Sequence, residues 1–525
     1  MATAALRNCR EYLNQGGKLL INEESGETSF MGNLDTESPS ESGVQKQQIL
    51  LVFPGKYKAT NPHMPLSVVT IADPLIRAGY EVTILDMRVE NYRTFRIGRP
   101  VFVGISTMSG AQIRYGLQFA MKVRAESPSC LIVWGGVHPS LQPEETAKSK
   151  YVDIVVRGEG DLVVAKLASR ISEGKQLDDV EGITFKKNGL IVSNPDGPLI
   201  DLDSIPLDLP YNLLHLERYH SLKNGRFHIQ TSRGCPHSCG FCYNIVYNKR
   251  KWRAKSAQRV LAEIEHALKE FPNTKIIDLI DDNFFVDQKR VKDICRGIVD
   301  RKINILWRAS CRFDYLSTYS RDFVGLLEKS GCRELDFGGE TGSERLQSLI
   351  CKDVTHEQIT SSLENLNRWG SKIDVYVSWV CGFPTESDED LNDTIDFMDK
   401  MSEVYPKTQH FGLFIYTPYP SPILDPLTKD FTLPKTLEEW GNVDVYRFKP
   451  PWHSKRQVKK LHAISAVSFL AFYPKDRIDE TSVYFRMGFR VLNRIEKYRW
   501  KKRYFGLPLE LRIVDALTRK LKGYI

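Results

Sequence analysis

Apolar positions along the chain fall into short runs separated by stretches of helical period. The first run, Ile49-Leu50-Leu51-Val52-Phe53, stops at Pro54-Gly55 and reads as a buried strand followed by a loop. Pro65 to Ala78 reads as a helix closed by Gly79 and kinked at Pro74. Glu81 to Asp86, Val101 to Ser106, Leu131 to Gly136 and Tyr151 to Val156 read as four more strands, with a helix carrying Gln112, Tyr115, Phe119 and Val123 between the third strand of the series and the fourth. Mostly apolar strands alternating with helices predict a doubly wound (Rossmann-like) α/β domain over residues 46–170. Its parallel sheet is covered on both faces, and such sheets bind ligands at the carboxyl ends of the strands. Those ends are Phe53-Pro54-Gly55, Thr107-Met108-Ser109-Gly110, Gly135-Gly136-Val137-His138-Pro139-Ser140 and Arg157-Gly158-Glu159-Gly160-Asp161. Small and Gly-rich, they let backbone approach a large flat ligand.

Residues 171–225, with Pro195, Pro198, Pro206 and Pro210, read as a connector. A second α/β series follows over residues 226–428. Its strands are read at Phe227 to Gln230, Ile276 to Ile280, Ile303 to Trp307, Glu334 to Phe337, Val375 to Val380 and Phe411 to Ile415. Ser256 to Phe271 places Val260, Ile264, Ala267 and Phe271 on one helical face, and Thr355 with Gln358 forms a capping box for a helix stopped by Gly370. Six such units suit a partial (β/α)6 barrel of TIM type, its site at the strand carboxyl ends. Residues 429–525 lose the strand signal and read as helical.

A chain of 525 residues accommodates two to four domains, and 42% hydrophobic residues is an ordinary globular composition. No apolar run is long enough to span a bilayer, and Met1 to Gln15 lacks the basic and apolar pattern of a secretory signal. Residues 1–45, polar and rich in Ser, Glu and Gly, read as a disordered arm. Charge is uneven: Pro451 to Ile525 holds 18 Lys/Arg against 6 Asp/Glu, or +12, leaving 55 against 59, or −4, elsewhere. Solvated helical faces produce such a surplus more often than a basic partner surface does. Ten cysteines in so long a chain do not make a disulfide scaffold; the clustering of three points to metal or redox chemistry in a reducing cytosol.

Those three lie in Arg233-Gly234-Cys235-Pro236-His237-Ser238-Cys239-Gly240-Phe241-Cys242-Tyr243, directly after a predicted strand. Three thiolates from a tight loop can bind three irons of a [4Fe–4S] cluster and leave the fourth iron open for a chelating ligand. Three buried cysteines on one helix face have the same spacing, but Gly234, Pro236 and Gly240 argue against a regular helix. Zinc would want a fourth ligand, and His237 would reach it only by distorting the loop. The triplet, with an aromatic residue just before its third cysteine, resembles the signature of radical S-adenosylmethionine (SAM) enzymes. The resemblance runs from about Gln48 to Pro422, and only the triplet is highly specific.

The resemblance implies that Cys235, Cys239 and Cys242 hold the cluster, with Phe241 beside them, and that its open iron binds the amino and carboxyl groups of SAM. It implies SAM contacts at Asp282 after the second barrel strand, Glu340 (to the ribose) after the fourth and Gly382 (near the adenine) after the fifth. On spacing alone, Asp281-Asp282-Asn283 reads rather as an ordinary acidic loop or helix cap. Arg308 and Arg312, placed at the end of the third strand, read either as a bidentate clamp on the SAM carboxylate or as surface arginines. Tyr416-Thr417-Pro418-Tyr419-Pro420 resembles a Pro-rich motif of the cobalamin-binding class.

A doubly wound domain directly before such a barrel resembles that class, which implies cobalamin at Thr107, Met108, Ser109, Gly135, Gly136, His138 and Gly158. No histidine lies in an Asp-x-His-x-x-Gly pattern, so cobalt is expected without the lower base or a histidine from that motif; a degenerate domain without cofactor is the rival reading. The implied reaction is methyl transfer to an unactivated carbon through a 5′-deoxyadenosyl radical and methylcobalamin. The alternatives are a radical oxidoreductase such as an oxidative ring-forming cyclase, and an iron–sulfur sensor without turnover. Implied partners are a small-molecule substrate and an electron donor such as flavodoxin or ferredoxin, with no nucleic acid. The expected location is cytoplasmic, and the basic C-terminus offers a peripheral membrane contact.

Overall fold

The structure, a computed structural model, describes residues 19–21, 28–30, 46–59, 62–419, 424–431, 433–443, 448–472 and 483–506. Residues 1–46 and 47–525 form two units. In the first, Leu19–Ile21 and Thr28–Phe30 pair as antiparallel strands, where composition predicts an arm without structure. The remainder of that arm, with Cys9, lies outside the described residues.

The second unit begins with a seven-stranded sheet. Its strands are β1 (Gln48–Phe53), β2 (Glu81–Asp86), β3 (Phe102–Ser106), β4 (Leu131–Gly135), β5 (Ile154–Val156), β6 (Ile183–Lys187) and β7 (Leu190–Ser193), in the order β2-β1-β3-β4-β5-β6-β7. β1 to β5 pair in parallel. Strand alternation divides their side chains between two cores. Ile49 and Leu51 face α1 (Leu66–Arg77) and α3 (Val164–Ser172), whereas Leu50 and Val52 face α2 (Ala111–Glu126). The connector reading of residues 171–225 needs correction at its start, because β6 and β7 extend the sheet as an antiparallel hairpin. Asn188 (φ 51°) and Gly189 (φ 79°) supply the left-handed pair that a two-residue hairpin turn requires.

The second sheet has six strands, β8 (Arg226–Ile229), β9 (Ile276–Leu279), β10 (Leu306–Cys311), β11 (Cys332–Glu340), β12 (Asp374–Cys381) and β13 (Thr408–Ile415). They are parallel and in sequential order, as a partial barrel demands. α4 (Ala257–Glu270), α5 (Gln288–Asp300), α6 (Arg321–Lys329), α7 (His356–Arg368) and α8 (Asp388–Val404) alternate with them. The expected capping box at Thr355 and Gln358 is present. The third strand lies later than the apolar run Ile303 to Trp307 suggests: its pairing starts at Leu306, whose N–H donates to the Lys275 carbonyl.

The C-terminal region serves both sheets. Leu437, Trp440 and Val443 join the core under α2, and Ser149 Oγ donates to Glu438 Oε1 at 2.6 Å. α9 (Lys455–Phe472) packs on β13, where Ser468 Oγ accepts from the Leu413 N–H at 2.9 Å. α10 (Val483–Lys501) packs on α9, Asn493 Nδ2 donating to the Leu470 and Ala471 carbonyls at 2.7 and 2.9 Å. Of the region read as helical, residues 473–482 and 507–525 lie outside the described residues. Among the described residues no helix is long and apolar enough to cross a membrane.

Candidate functional site

β8 runs into the cysteine loop through a two-residue strand, Ser232–Arg233, paired antiparallel with Arg253–Ala254. Gly234 then turns the chain with φ +87°, and a Cβ there would stand 2.0 Å from the Lys251 carbonyl oxygen, so only glycine fits. Two consecutive carboxylates after β9 pin the loop. Buried Asp281 accepts from the Thr231 N–H at 2.6 Å, Thr231 Oγ1 at 2.5 Å and Ser232 Oγ at 2.6 Å. Asp282 accepts from the Gly234 N–H at 3.0 Å and from Tyr243 Oη at 2.8 Å.

Residues 234–243 are irregular rather than helical, and Cys235, Cys239 and Cys242 are free thiols. Among the described residues no three His, Cys, Asp or Glu side chains converge on a single-ion site. His237 Nε2 is bonded to Tyr315 Oη at 2.6 Å, so that nitrogen is engaged rather than offered to a metal. Donors point at two sulfurs: Asn283 Nδ2 at 3.7 Å from Cys235 Sγ and Arg312 Nη1 at 3.4 Å from Cys239 Sγ. Burial pushes the Cys242 thiol up to about 12, so a bound cationic metal group is what would hold it as thiolate. An irregular loop with three neighbouring thiols and donors aimed at their sulfurs fits an iron–sulfur cluster.

Four of the other barrel candidates gather on one rim. Phe241 packs against Phe383, ring centroids 6.2 Å apart, with Lys352 Nζ 5.9 Å from its ring. Glu340, at the end of β11 with φ +60°, pairs with Lys352 at 2.8 Å, both side chains buried. Arg312 Nη2 donates to the Lys352 carbonyl at 2.8 Å. Gly382 accepts at its carbonyl from Trp452 Nε1 at 2.9 Å and donates its N–H to Glu386, whose buried carboxyl is raised to about 8 by desolvation. Arg308 is not on that rim. It is the third residue of β10 rather than its end, and its Nε is 2.6 Å from Asp278 Oδ1, with His228 Nε2 3.0 Å from Asp278 Oδ2. Its charge is committed inside the strand layer.

On the first sheet, Thr107, Met108, Gly135, Gly136 and Gly158 line a cavity of about 530 Å3, and so do Arg233, Tyr243 and Asp282 from the cysteine loop and its surroundings. One arm of the cavity runs between the sheet, at Leu51, Phe102 and Val133, and the helices, at Val68, Ile71 and Val164. Gly136 has φ +92°, and a Cβ there would lie 2.8 Å from the Thr107 carbonyl oxygen. The remaining two candidates brace this wall: Ser109 Oγ bonds His138 Nδ1 at 2.8 Å, and His138, buried beside Trp440, is neutral, its pKa lowered by burial to about 4. The small-residue wall and the deep apolar arm fit a large flat cofactor with a tail.

The two loops are fastened together. Arg233, immediately before the cysteines, grips Asp161 with both Nη atoms, at 2.9 and 3.1 Å, and stands 3.2 Å from Glu159. Tyr247 Oη donates to the Gly158 carbonyl at 3.2 Å. His63, after β1, enters the same cavity with its ring 4.3 Å from that of His228. Sequence reasoning missed Arg233, Asp281, Lys352, Glu386 and His63 as site residues. Arg233 and Asp281 stand within motifs it quoted, whereas Lys352 and His63 carry no local signal.

Comparison with known proteins matches residues 229–398 to the radical SAM superfamily and residues 56–168 to the B12 binding domain. An uncharacterized methyltransferase of Pyrococcus horikoshii is 28% identical over 464 residues, covering 85% of this chain and 96% of that protein. The anaerobic magnesium-protoporphyrin IX monomethyl ester cyclase of Synechocystis is 27% identical over 338 residues, 62% of this chain and 66% of that one. Among solved structures, the radical SAM methyltransferase TsrM of Kitasatospora setae, with cobalamin and a [4Fe–4S] cluster bound, superposes with a TM-score of 0.64 at 16% identity over 86% of this chain and 99% of that one.

Proposed function

We propose that this chain, a member of the cobalamin-binding radical SAM enzymes, is a methyltransferase that adds a methyl group to an unactivated carbon of a small molecule. The observation that carries the reading is the shared cavity: strand-end loops of the first sheet and the cysteine loop line one space and are tied by the Arg233–Asp161 fork. When bound, the cluster and SAM supply a carbon radical on the substrate, and cobalamin supplies the methyl group.

The chain's own residues position these groups. Asp281 and Asp282 hold the cysteine loop at both ends, so that Cys235, Cys239 and Cys242 present three sulfurs from one rigid segment. Glu340, paired with Lys352, is in place for a ribose hydroxyl, and Gly382 with Phe241 and Phe383 for an adenine. Thr107, Met108, Gly135, Gly136 and Gly158 offer backbone and small side chains to a corrin, with Ser109 and His138 behind them. The mostly apolar lining of the cavity disfavours water beside a radical.

The reading includes a one-electron donor such as flavodoxin or ferredoxin, a cytoplasmic setting and a peripheral membrane contact. α10 favours that contact. Its exposed Met487, Val491, Ile495 and Tyr498 recur at i, i+4, i+8 and i+11, one stripe of the helix, beside exposed Arg490, Arg494, Lys497 and Lys501. An apolar stripe flanked by cations suits the surface of an anionic bilayer.

Anaerobic incubation with SAM, a reductant and candidate substrates tests the function. S-adenosylhomocysteine together with 5′-deoxyadenosine and a methylated product is expected. 5′-Deoxyadenosine alone would favour a ring-forming oxidoreductase of the cyclase kind, and neither product would leave a sensor.

A further inference from the structure

Arg312, just after β10, reads from the sequence as either a clamp on the SAM carboxylate or a surface arginine, and its buried surroundings point elsewhere. Its Nε donates to Asp314 Oδ1 at 2.9 Å, its Nη1 to Cys239 Sγ at 3.4 Å and its Nη2 to the Lys352 carbonyl at 2.8 Å. A carboxylate fork needs two parallel N–H groups on one edge of the guanidinium. Here the Nη1/Nη2 edge is divided between a sulfur and a carbonyl, and the Nε edge is held by Asp314. The side chain is only 8% exposed, so water does little to screen its charge. A second donor approaches the same loop from β9: Asn283, 2% exposed, directs Nδ2 to Cys235 Sγ at 3.7 Å, and its backbone carbonyl is anchored by Trp252 Nε1 at 3.1 Å. Two of the three cysteine sulfurs therefore each face a side-chain N–H, one of them cationic.

We infer that Arg312 and Asn283 are positioning residues that act on the cluster through the sulfurs of Cys239 and Cys235, raising its reduction potential. The inference rests on the cluster reading above. Reduction adds one electron, drawn from an external one-electron donor, to a group whose ligands are already negative. A fixed cation and N–H donors at the sulfurs stabilise the reduced state more than the oxidised one. Asp314 holds the guanidinium in place at the cost of part of its field.

The test is an EPR-monitored redox titration of the anaerobically reconstituted full-length protein without SAM, run beside a SAM-binding measurement by equilibrium dialysis. Arg312→Gln should take up its cluster and titrate at a potential more negative by about 59 mV or more, the equivalent of tenfold in a one-electron equilibrium. Arg312→Lys, which keeps the charge, should recover most of that shift. Asn283→Leu should move the potential in the same direction by less, and SAM affinity should stay within about threefold in all three. An unmoved potential with SAM binding weakened tenfold in Arg312→Gln would overturn the inference and return Arg312 to the carboxylate. If Arg312→Gln fails to hold iron, Asn283→Leu decides, and a wild-type potential there overturns it. Wild-type protein that takes up no cluster would instead sink the function proposed above.

Discussion

Replacing Arg233 by Met removes the fork between the cysteine loop and the first domain while keeping an apolar stem of similar length. Arg233 is 15% exposed at its side chain, and its partners Asp161 and Glu159 are 7% and 6% exposed. Breaking a buried pair by removing one member costs about 3–5 kcal/mol, because the other charge is left without compensation. Glu159 keeps Arg253, which limits the loss to the Asp161 half and places the expected effect near 3 kcal/mol, a large part of the ~5–15 kcal/mol of a typical domain. Asp161→Asn should cost less, since Arg233 retains Glu159. The assay is a double-mutant cycle by urea denaturation, followed by tryptophan fluorescence, on wild type, Arg233→Met, Asp161→Asn and the double variant. A coupling of about 2 kcal/mol or more is expected, the double variant being markedly less unstable than the sum of the singles. Additivity within ~0.5 kcal/mol would refute the reasoning, since the fork would then hold nothing that either partner alone does not.

Alanine at any one of Cys235, Cys239 and Cys242 should abolish a full complement of iron and SAM cleavage, whereas Cys130, Cys295, Cys311, Cys332, Cys351 and Cys381 should each be dispensable to iron analysis. Hydroxocobalamin should bind in the base-off form by visible spectroscopy, and Gly136→Val, whose Cβ would meet the Thr107 carbonyl oxygen at 2.8 Å, should weaken that binding by about tenfold or more. The buried Glu386 carboxyl titrates near 8 in the fold against 4.5 in its ordinary state, so the fold retains a proton that the unfolded chain releases; its contribution to stability falls as pH rises from about 4.5 to 8. Glu386→Gln should flatten that fall in denaturation midpoints measured across the window, and a wild-type slope in the variant would contradict it. Val491→Glu with Ile495→Glu should reduce co-sedimentation with phosphatidylglycerol vesicles about tenfold at low salt while leaving the melting curve unchanged; equal binding to phosphatidylcholine vesicles would count against the charged surface.

What the sequence alone determined is what short-range chemistry dictates. Apolar runs with helical stretches between them located the parallel strands of both sheets, because burial on two faces requires continuous apolar side chains. The cysteine loop was legible because two glycines and a proline within seven residues, Gly234, Pro236 and Gly240, each disfavour a regular helix there. Even the missed hairpin left its mark, Asn188-Gly189 between Ile183-Thr184-Phe185-Lys186-Lys187 and the apolar Leu190-Ile191-Val192, within the segment read as a connector. Tertiary structure decided the partners. Arg308 and Arg312 lie four residues apart with like side chains, yet one neutralises Asp278 within the strand layer and the other meets Cys239. Nothing local distinguishes them, since where β10 begins is set by its pairing with β9 and not by its own apolar run. Lys352 reaches Glu340, and Trp440 reaches the first domain from 302 positions beyond His138, because folding closes long loops at little extra entropic cost. A long-range contact carries no signature at either end, so the shared cavity and the Arg233–Asp161 fork became visible only when the two domains were packed together.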